Sequence, residues 1–224
     1  MERKGSRFKF WLGLLFFLFL GLPVAGQEPP LVEFTAEEKA FLEQHPVIRV
    51  SGDPDWLPIE AFTAEGKYEG IVPDYLKLLE ERSGLKFEVV PSRRWNDTLD
   101  MARERKIDLV SAMESKERRE FLNFTQIYFE MPVVIVTRKE ARSLRGLSGL
   151  KGMKVAVLSG YGYVNELKAL YPDLDYAEVQ NITEGLRGVS LNQYDALIES
   201  FSTCNYKMVD LGLNNLKING DTRL

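Results

Sequence analysis

VIRVSGDPDWLPIEAFTAEGKYEGIVPDYLKLLE, residues 47–80, is the stretch whose reading decides the fold. Val47, Ile48 and Val50 make a short apolar strand that empties into a loop holding Asp53, Asp55, Trp56, Pro54 and Pro58. The chain reverses through Glu65, Gly66 and Lys67, and a helix starts after Gly70. Pro73 stands in its first turn and Asp74 near the positive end of its dipole, while Gly84 supplies a C-cap. Val72, Tyr75, Leu76 and Leu79 line one side of that helix. A strand feeding a helix through a polar loop is the unit of an α/β protein. Loops beyond the carboxyl ends of such strands are where open sheets take small molecules.

The unit repeats on either side. Upstream, Thr35 and Glu38 form a capping box that opens TAEEKAFLEQH, and Pro46 ends it. His45 falls at that helix end, where a cationic or hydrogen-bonding group suits the last carbonyls, and it has no catalytic neighbour. Downstream, Phe87, Val89 and Val90 read as a strand, Trp95, Leu99 and Ala102 as a helix stripe, and Ile107, Leu109 and Val110 as a further strand. A short charged helix spans 117–121, and Val133 to Thr137 is strongly β-forming. RKEARSLRGLSGLKG, rich in Gly, Ser and basic residues, reads as the passage into a second lobe. There Lys154 to Leu158, Tyr176 to Val179 and Ala196 to Ile198 are strands. Val164, Leu167 and Leu170 mark one helix, closed by Pro172, and Leu186 and Val189 another, opened by a capping box of Asn181 and Glu184. The segment through Tyr206 and Met208 shows no clear pattern, and Leu216 to Ile218 is a last strand.

Composition narrows the function classes. The 224 residues carry 29 Lys and Arg against 33 Asp and Glu, a net charge of −4. Residues 1–26 hold four basic groups and one acidic one, so the body without them is more acidic, which argues against nucleic acid as a partner. Arg3, Lys4, Arg7 and Lys9 precede an uncharged run, FWLGLLFFLFLGLPVAG, that ends in small residues. This is the layout of a signal peptide, with retention as a membrane anchor the alternative, and it directs the body to the periplasm. Cys204 is the sole cysteine, so no internal disulfide can form, and it is read as a small buried hydrophobe. One His and one Cys far apart give no zinc pattern, and neither a metal nor a cofactor is expected.

Chemistry-bearing residues cluster after the strands. Arg118, in the first turns of the short helix, can hold a carboxylate with a charge-assisted fork, or belong to the solvated face of KERRE. Trp56 is a pocket wall or a core residue, and Asp53 and Asp55 are turn formers. Gly160, Tyr161 and Gly162 form a tight turn whose amides can face a ligand, without the spacing of a nucleotide motif. Glu114 and Glu199 each end a strand and could face each other as an acid–base pair or as ligand hydrogen-bonders. No serine nucleophile motif occurs, and the N-x-S/T matches at Asn96, Asn123 and Asn181 are incidental.

FTAEEKAFLEQHPVIRVSGDPDWLPIEAF, EGIVPDYLKLLEERSGLKFEVVP, KIDLVSAM, FTQIYFEMPVVIVTRK, LKGMKVAVLSGYGYVNELKALYPDL and YDALIES together resemble the family 3 extracellular solute-binding proteins. The flavour is that of the Venus-flytrap sensor domains placed before membrane histidine kinases and cyclic-dinucleotide enzymes. The resemblance implies a periplasmic binding protein-like type II fold, two α/β lobes joined by a hinge and closing on a ligand. With residues 1–26 read as a signal peptide and 27–46 as a leader and short helix, it assigns 47–138 to lobe 1, 139–215 to lobe 2 and 216–224 to a truncated return crossover, leaving lobe 1 incomplete. It implies that Trp56 packs on the ligand and Arg118 clamps a carboxylate.

Met113 stands where amino-acid binders of the family place a hydroxyl, Gly162 at or near where they place Thr, and Ser200 where they place the Asp that holds an α-ammonium. The implied partner is therefore a carboxylate or amino-acid-like solute, with a carboxylate lacking that amine favoured, and a receptor whose ligand is altered or absent as the alternative. A downstream membrane receptor module or an ABC permease would receive the output, and membrane association would come only through an uncleaved signal or a C-terminal part. A soluble transport protein, a prephenate or arogenate dehydratase-like enzyme and the regulatory module of a lytic transglycosylase are the alternatives.

Overall fold

The computed structural model describes residues 32–223, so the signal-peptide reading of 1–26 lies outside the described residues. Helix α1, Ala36–Gln44, is capped as its sequence requires: Thr35 accepts from the Glu38 N–H at 3.2 Å, and Glu38 accepts from the Thr35 N–H at 2.7 Å. His45 closes it, its Nδ1 bonded to the Phe41 carbonyl at 2.9 Å and its ring stacked on Phe41.

A first parallel sheet follows. Strand β1, Ile48–Ser51, leads into a small antiparallel excursion of β2 (Asp55–Trp56), β3 (Glu60–Phe62) and β4 (Tyr68–Glu69). Helix α2 (Ile71–Ser83) returns to β5 (Phe87–Val89), and α3 (Trp95–Arg103) to β6 (Leu109–Val110). The order is β5-β1-β6, so β1 is central and paired on both edges. Gly84 caps α2 at φ 72°, in the left-handed region its lack of a Cβ permits. Helix α3 buries Trp95, Thr98, Leu99 and Ala102. Helix α2 buries Val72 and Leu76 but leaves Tyr75 and Leu79 exposed, so only half of its apolar stripe is covered.

The second sheet is larger. It comprises β7 (Val133–Arg138), β8 (Lys154–Leu158), β9 (Asp175–Val179), β10 (Ala196–Ser200) and β11 (Leu216–Asp221), in the order β11-β7-β10-β8-β9. Strands β8, β9 and β10 run parallel, β7 antiparallel to β10, and β11 antiparallel to β7. Side chains alternate between two cores. Ile135, Val155, Val157 and Ile198 meet Val164 and Leu167 of α4 (Gly162–Leu170) on one face. Val134, Val136, Ala156 and Leu197 meet Ile182, Leu186 and Val189 of α5 (Ile182–Ser190) on the other. Both faces being covered, the inner strands β7 and β8 read as near-continuous apolar runs, while the edge strands β9 and β11 do not.

Two readings are corrected by these hydrogen bonds. Residues 133–138, expected at the end of the first lobe, and residues from 216 on, expected as a return to it, both lie in the second sheet. Strand propensity shows that a strand exists but not which sheet accepts it; here five consecutive pairs tie β7 to β10. The segment read as unpatterned is helix α6, Phe201–Asp210, which turns Thr203, Cys204 and Lys207 inward. A lysine at an inward position hid its period. Among the described residues no helix is long and apolar enough to cross a membrane.

Candidate functional site

The carboxyl ends of β1, β6, β8 and β10 converge on one junction between the halves. The loop after β1 contributes Asp53, Asp55 and Trp56, and the start of α3 contributes Trp95 and Asn96. A single 3-10 turn, Arg118–Glu120, supplies Arg118. From the other half come the turn after β8, the end of β10 and the starts of α5 and α6.

Arg118 is 5% exposed. Its Nη1 donates to the Met113 carbonyl at 2.6 Å and its Nη2 to the Gly160 carbonyl, across the junction, at 2.9 Å. Its guanidinium lies 5.2 Å from the Trp95 ring centroid. No carboxylate is paired with it among the described residues, and burial pushes its pKa down to about 10. A guanidinium carries five N–H donors, so the two carbonyls leave capacity for an anion.

The turn after β8 is docked by its backbone as well as its side chains. Gly160 sits at φ +78°, and its carbonyl also accepts from Trp95 Nε1 at 3.1 Å. A Cβ at Gly160 would run into the Asn96 side chain, which donates to Ser159 Oγ at 3.2 Å. A Cβ at Gly162 would come within 3.3 Å of Arg118 and 3.4 Å of Met113. Tyr161 extends its hydroxyl to Asp53, donating at 2.6 Å, and its ring meets Trp56, Trp95 and Tyr163 edge-on.

Carboxylates organise the remainder. Asp53 accepts from the Asp55 N–H at 2.9 Å, the turn-forming bond expected of it, and also receives Tyr161. Asp55 reaches the other half, pairing with the buried Lys207 ammonium and accepting from Thr183 Oγ1 at 2.8 Å. Glu199, 1% exposed, accepts from Trp56 Nε1 at 3.3 Å, from Tyr163 at 3.0 Å and from the Ser200 N–H at 2.7 Å. Behind them Glu60 accepts from the Asp53 N–H at 2.8 Å and from the Tyr68 hydroxyl. Burial raises Asp53 to about 6 and Glu60 to about 8, and lifts Glu199 above its ordinary range, each against the donors it receives. A cavity of about 350 Å³ opens beside this bridge, lined by Asp53, Asp55, Arg93, Trp95 and Thr183.

Trp56, Met113, Arg118, Gly160, Tyr161 and Gly162 are thus brought together. Ser200 is 3% exposed, and its hydroxyl is engaged with Thr203 at 2.9 Å. Glu114 is turned outward in an ion pair with Arg119, so it and Glu199 have separate partners. Sequence reading missed Asp55, Thr183 and Lys207 as one cluster and took Trp95 for core alone. No local signal links Asp55 to a lysine 152 residues away.

A family model described as bacterial extracellular solute-binding proteins, family 3, matches residues 48–222. Two curated relatives are similar. The virulence sensor protein BvgS of Bordetella pertussis is 26% identical over 174 residues, 77% of this chain and 14% of its own length. The sensor protein EvgS of Escherichia coli K12 is 27% identical over 180 residues, 80% of this chain and 15% of its own. The chain therefore spans about one-seventh of the length of these relatives. Among solved structures, the periplasmic VFT2 domain of Bordetella pertussis BvgS is similar at a TM-score of 0.77, with 25% identity over 86% of this chain and 82% of that one.

Proposed function

The chain belongs to the bacterial extracellular solute-binding proteins, family 3, with a periplasmic binding protein-like type II fold, and from that membership we propose that it is a periplasmic clamp for a small carboxylate, the sensing portion of a larger membrane receptor. One observation carries the ligand class: a buried guanidinium, Arg118, stands at the junction with carbonyl partners and no anion among the described residues. A buried charge is stabilised chiefly by an opposite charge, and a carboxylate matches the planar fork of arginine. Such an anion would reach both halves through one side chain, because Arg118 already bridges to Gly160. The sensor role is supported by the two sensor relatives.

The carboxylates point to binding rather than catalysis. Glu199 is engaged by three donors and Glu114 faces outward, an arrangement that gives no acid–base pair. Ser200, bonded to Thr203, presents no anion for an α-ammonium, so the favoured solute lacks that amine. A thermal-shift screen pairing amino acids with their deaminated carboxylates tests this. The deaminated partners should stabilise the protein, and the response should vanish in Arg118→Ala. Equal stabilisation of wild type and Arg118→Ala would defeat the assignment.

A further inference from the structure

Tyr161 crosses between the halves and ends on a carboxylate of the other one. Its ring centroid lies 6.3 Å from Trp56, 6.2 Å from Trp95 and 6.0 Å from Tyr163, with interplanar angles of 82°, 73° and 85°. All three are the edge-to-face arrangement that aromatic quadrupoles favour. Its hydroxyl ends on Asp53, whose other oxygen is held by a local turn. Its own backbone is extended, at φ −74° and ψ 141°, so the reach is made without strain. The neighbouring carbonyl of Gly160 is fixed by Trp95 and Arg118 together. The side chain therefore occupies a phenol-shaped slot with three aromatic walls and one buried acceptor, and part of the residue remains exposed. Asp53 and Trp95, which define two sides of that slot, also line the adjoining cavity.

We propose that Tyr161 is the resident occupant of the cleft, a tethered phenol bridging the two halves, and that the solute working this clamp is a hydroxylated aromatic carboxylate that competes for the same slot. The first clause rests on the geometry of the ring and its hydroxyl; the second rests also on the carboxylate reading of Arg118 given above. A tethered group acts at an effective concentration of roughly millimolar, so a free phenol displaces it poorly. A solute that adds a carboxylate for Arg118 gains a second attachment the tether lacks. Displacing Tyr161 would break its link to Asp53 while leaving the Lys207–Asp55 contact available, so the halves would shift rather than separate.

The test is cavity complementation with p-cresol, the free form of the tyrosine side chain, measured by calorimetry on the full chain. Tyr161→Ala should bind p-cresol at least ten-fold more tightly than wild type does, and at least ten-fold more tightly than it binds toluene, which lacks the hydroxyl. Tyr161→Phe, its ring still in place, should bind p-cresol no better than wild type. Tyr161→Leu serves the same comparison with a smaller gain if the alanine variant does not fold. Failure of both truncated variants to gain p-cresol binding over wild type overturns the proposal, as does equal affinity for toluene. 4-Hydroxyphenylacetate separates the two readings. On Tyr161→Ala it should bind at least ten-fold more tightly than p-cresol, an advantage lost in Tyr161→Ala/Arg118→Ala. If p-cresol binds and that advantage is missing, the slot stands, while the carboxylate role of Arg118 and the ligand class drawn from it fall.

Discussion

Glu60 shows how one residue couples the junction to pH. Buried between the Asp53 amide and the Tyr68 hydroxyl, its carboxyl is raised from 4.5 to about 8. The folded protein therefore holds the proton more tightly than the unfolded chain. The stability this contributes is complete below about pH 4.5 and is lost as pH rises through about 8. Melting temperature should fall across that window in wild type and fall less steeply in Glu60→Gln, whose amide keeps the shape without titrating; an identical slope would contradict the burial argument. The same acid constrains its neighbour. A Cβ at Gly52 would overlap the Glu60 carboxylate and the Tyr68 hydroxyl, both deep in the fold. Gly52→Ala should cost about 2 kcal/mol in denaturant unfolding, the usual scale for overpacking, and a neutral result would show that this corner yields. Arg118 was legible as one of two readings, a guanidinium at a helix start able to hold a carboxylate or a member of the solvated face of KERRE. That it would be buried against two carbonyls was not, since both partners come from folding.

Helix α6 is the element that sequence reading lost, and the reason is physical. Lys207 takes an inward position at helical spacing from Thr203 and Cys204, so the apolar stripe is interrupted by a charge. The charge is tolerated because Asp55, at the start of β2, meets it from the other half. A buried pair that loses one partner typically costs about 3–5 kcal/mol, more than an apolar replacement of both. Lys207→Met should therefore destabilise strongly, and the double variant Asp55→Asn/Lys207→Met should recover a good part of the loss in a denaturant cycle. Additive losses would mean that the two side chains do not act as a pair. The strands were easier to read. β8 and β10, buried on both faces, carry the apolar runs Val155–Leu158 and Ala196–Ile198, and β1 carries Ile48 and Val50, each with turn or helix-start residues after it. Their order was only partly legible, because β7 and β11 carry the same signal whichever sheet they join.

At the scale of the molecule, the two sheets meet through polar bridges rather than a shared apolar core. Tyr161 to Asp53, Trp56 to Glu199, Thr183 and Lys207 to Asp55, and Arg118 and Trp95 to Gly160 are its chief ties. A typical hydrogen bond contributes about 1 kcal/mol net, so such a junction can be reset by a solute that differs in affinity between two arrangements by only a few kcal/mol. The family resemblance in the sequence reached this architecture; the bridges themselves, built from residues 42 to 152 positions apart, were beyond it. Movement of the halves is the central claim, and single-molecule energy transfer reads it directly. Dyes on Lys77→Cys in α2 and Lys151→Cys before β8 probe one half against the other, the native Cys204 being buried. Saturating carboxylate solute should shift the distance distribution in the labelled protein and leave it unchanged once Arg118→Ala is added. A distribution that stays fixed while calorimetry shows the solute bound would contradict the account.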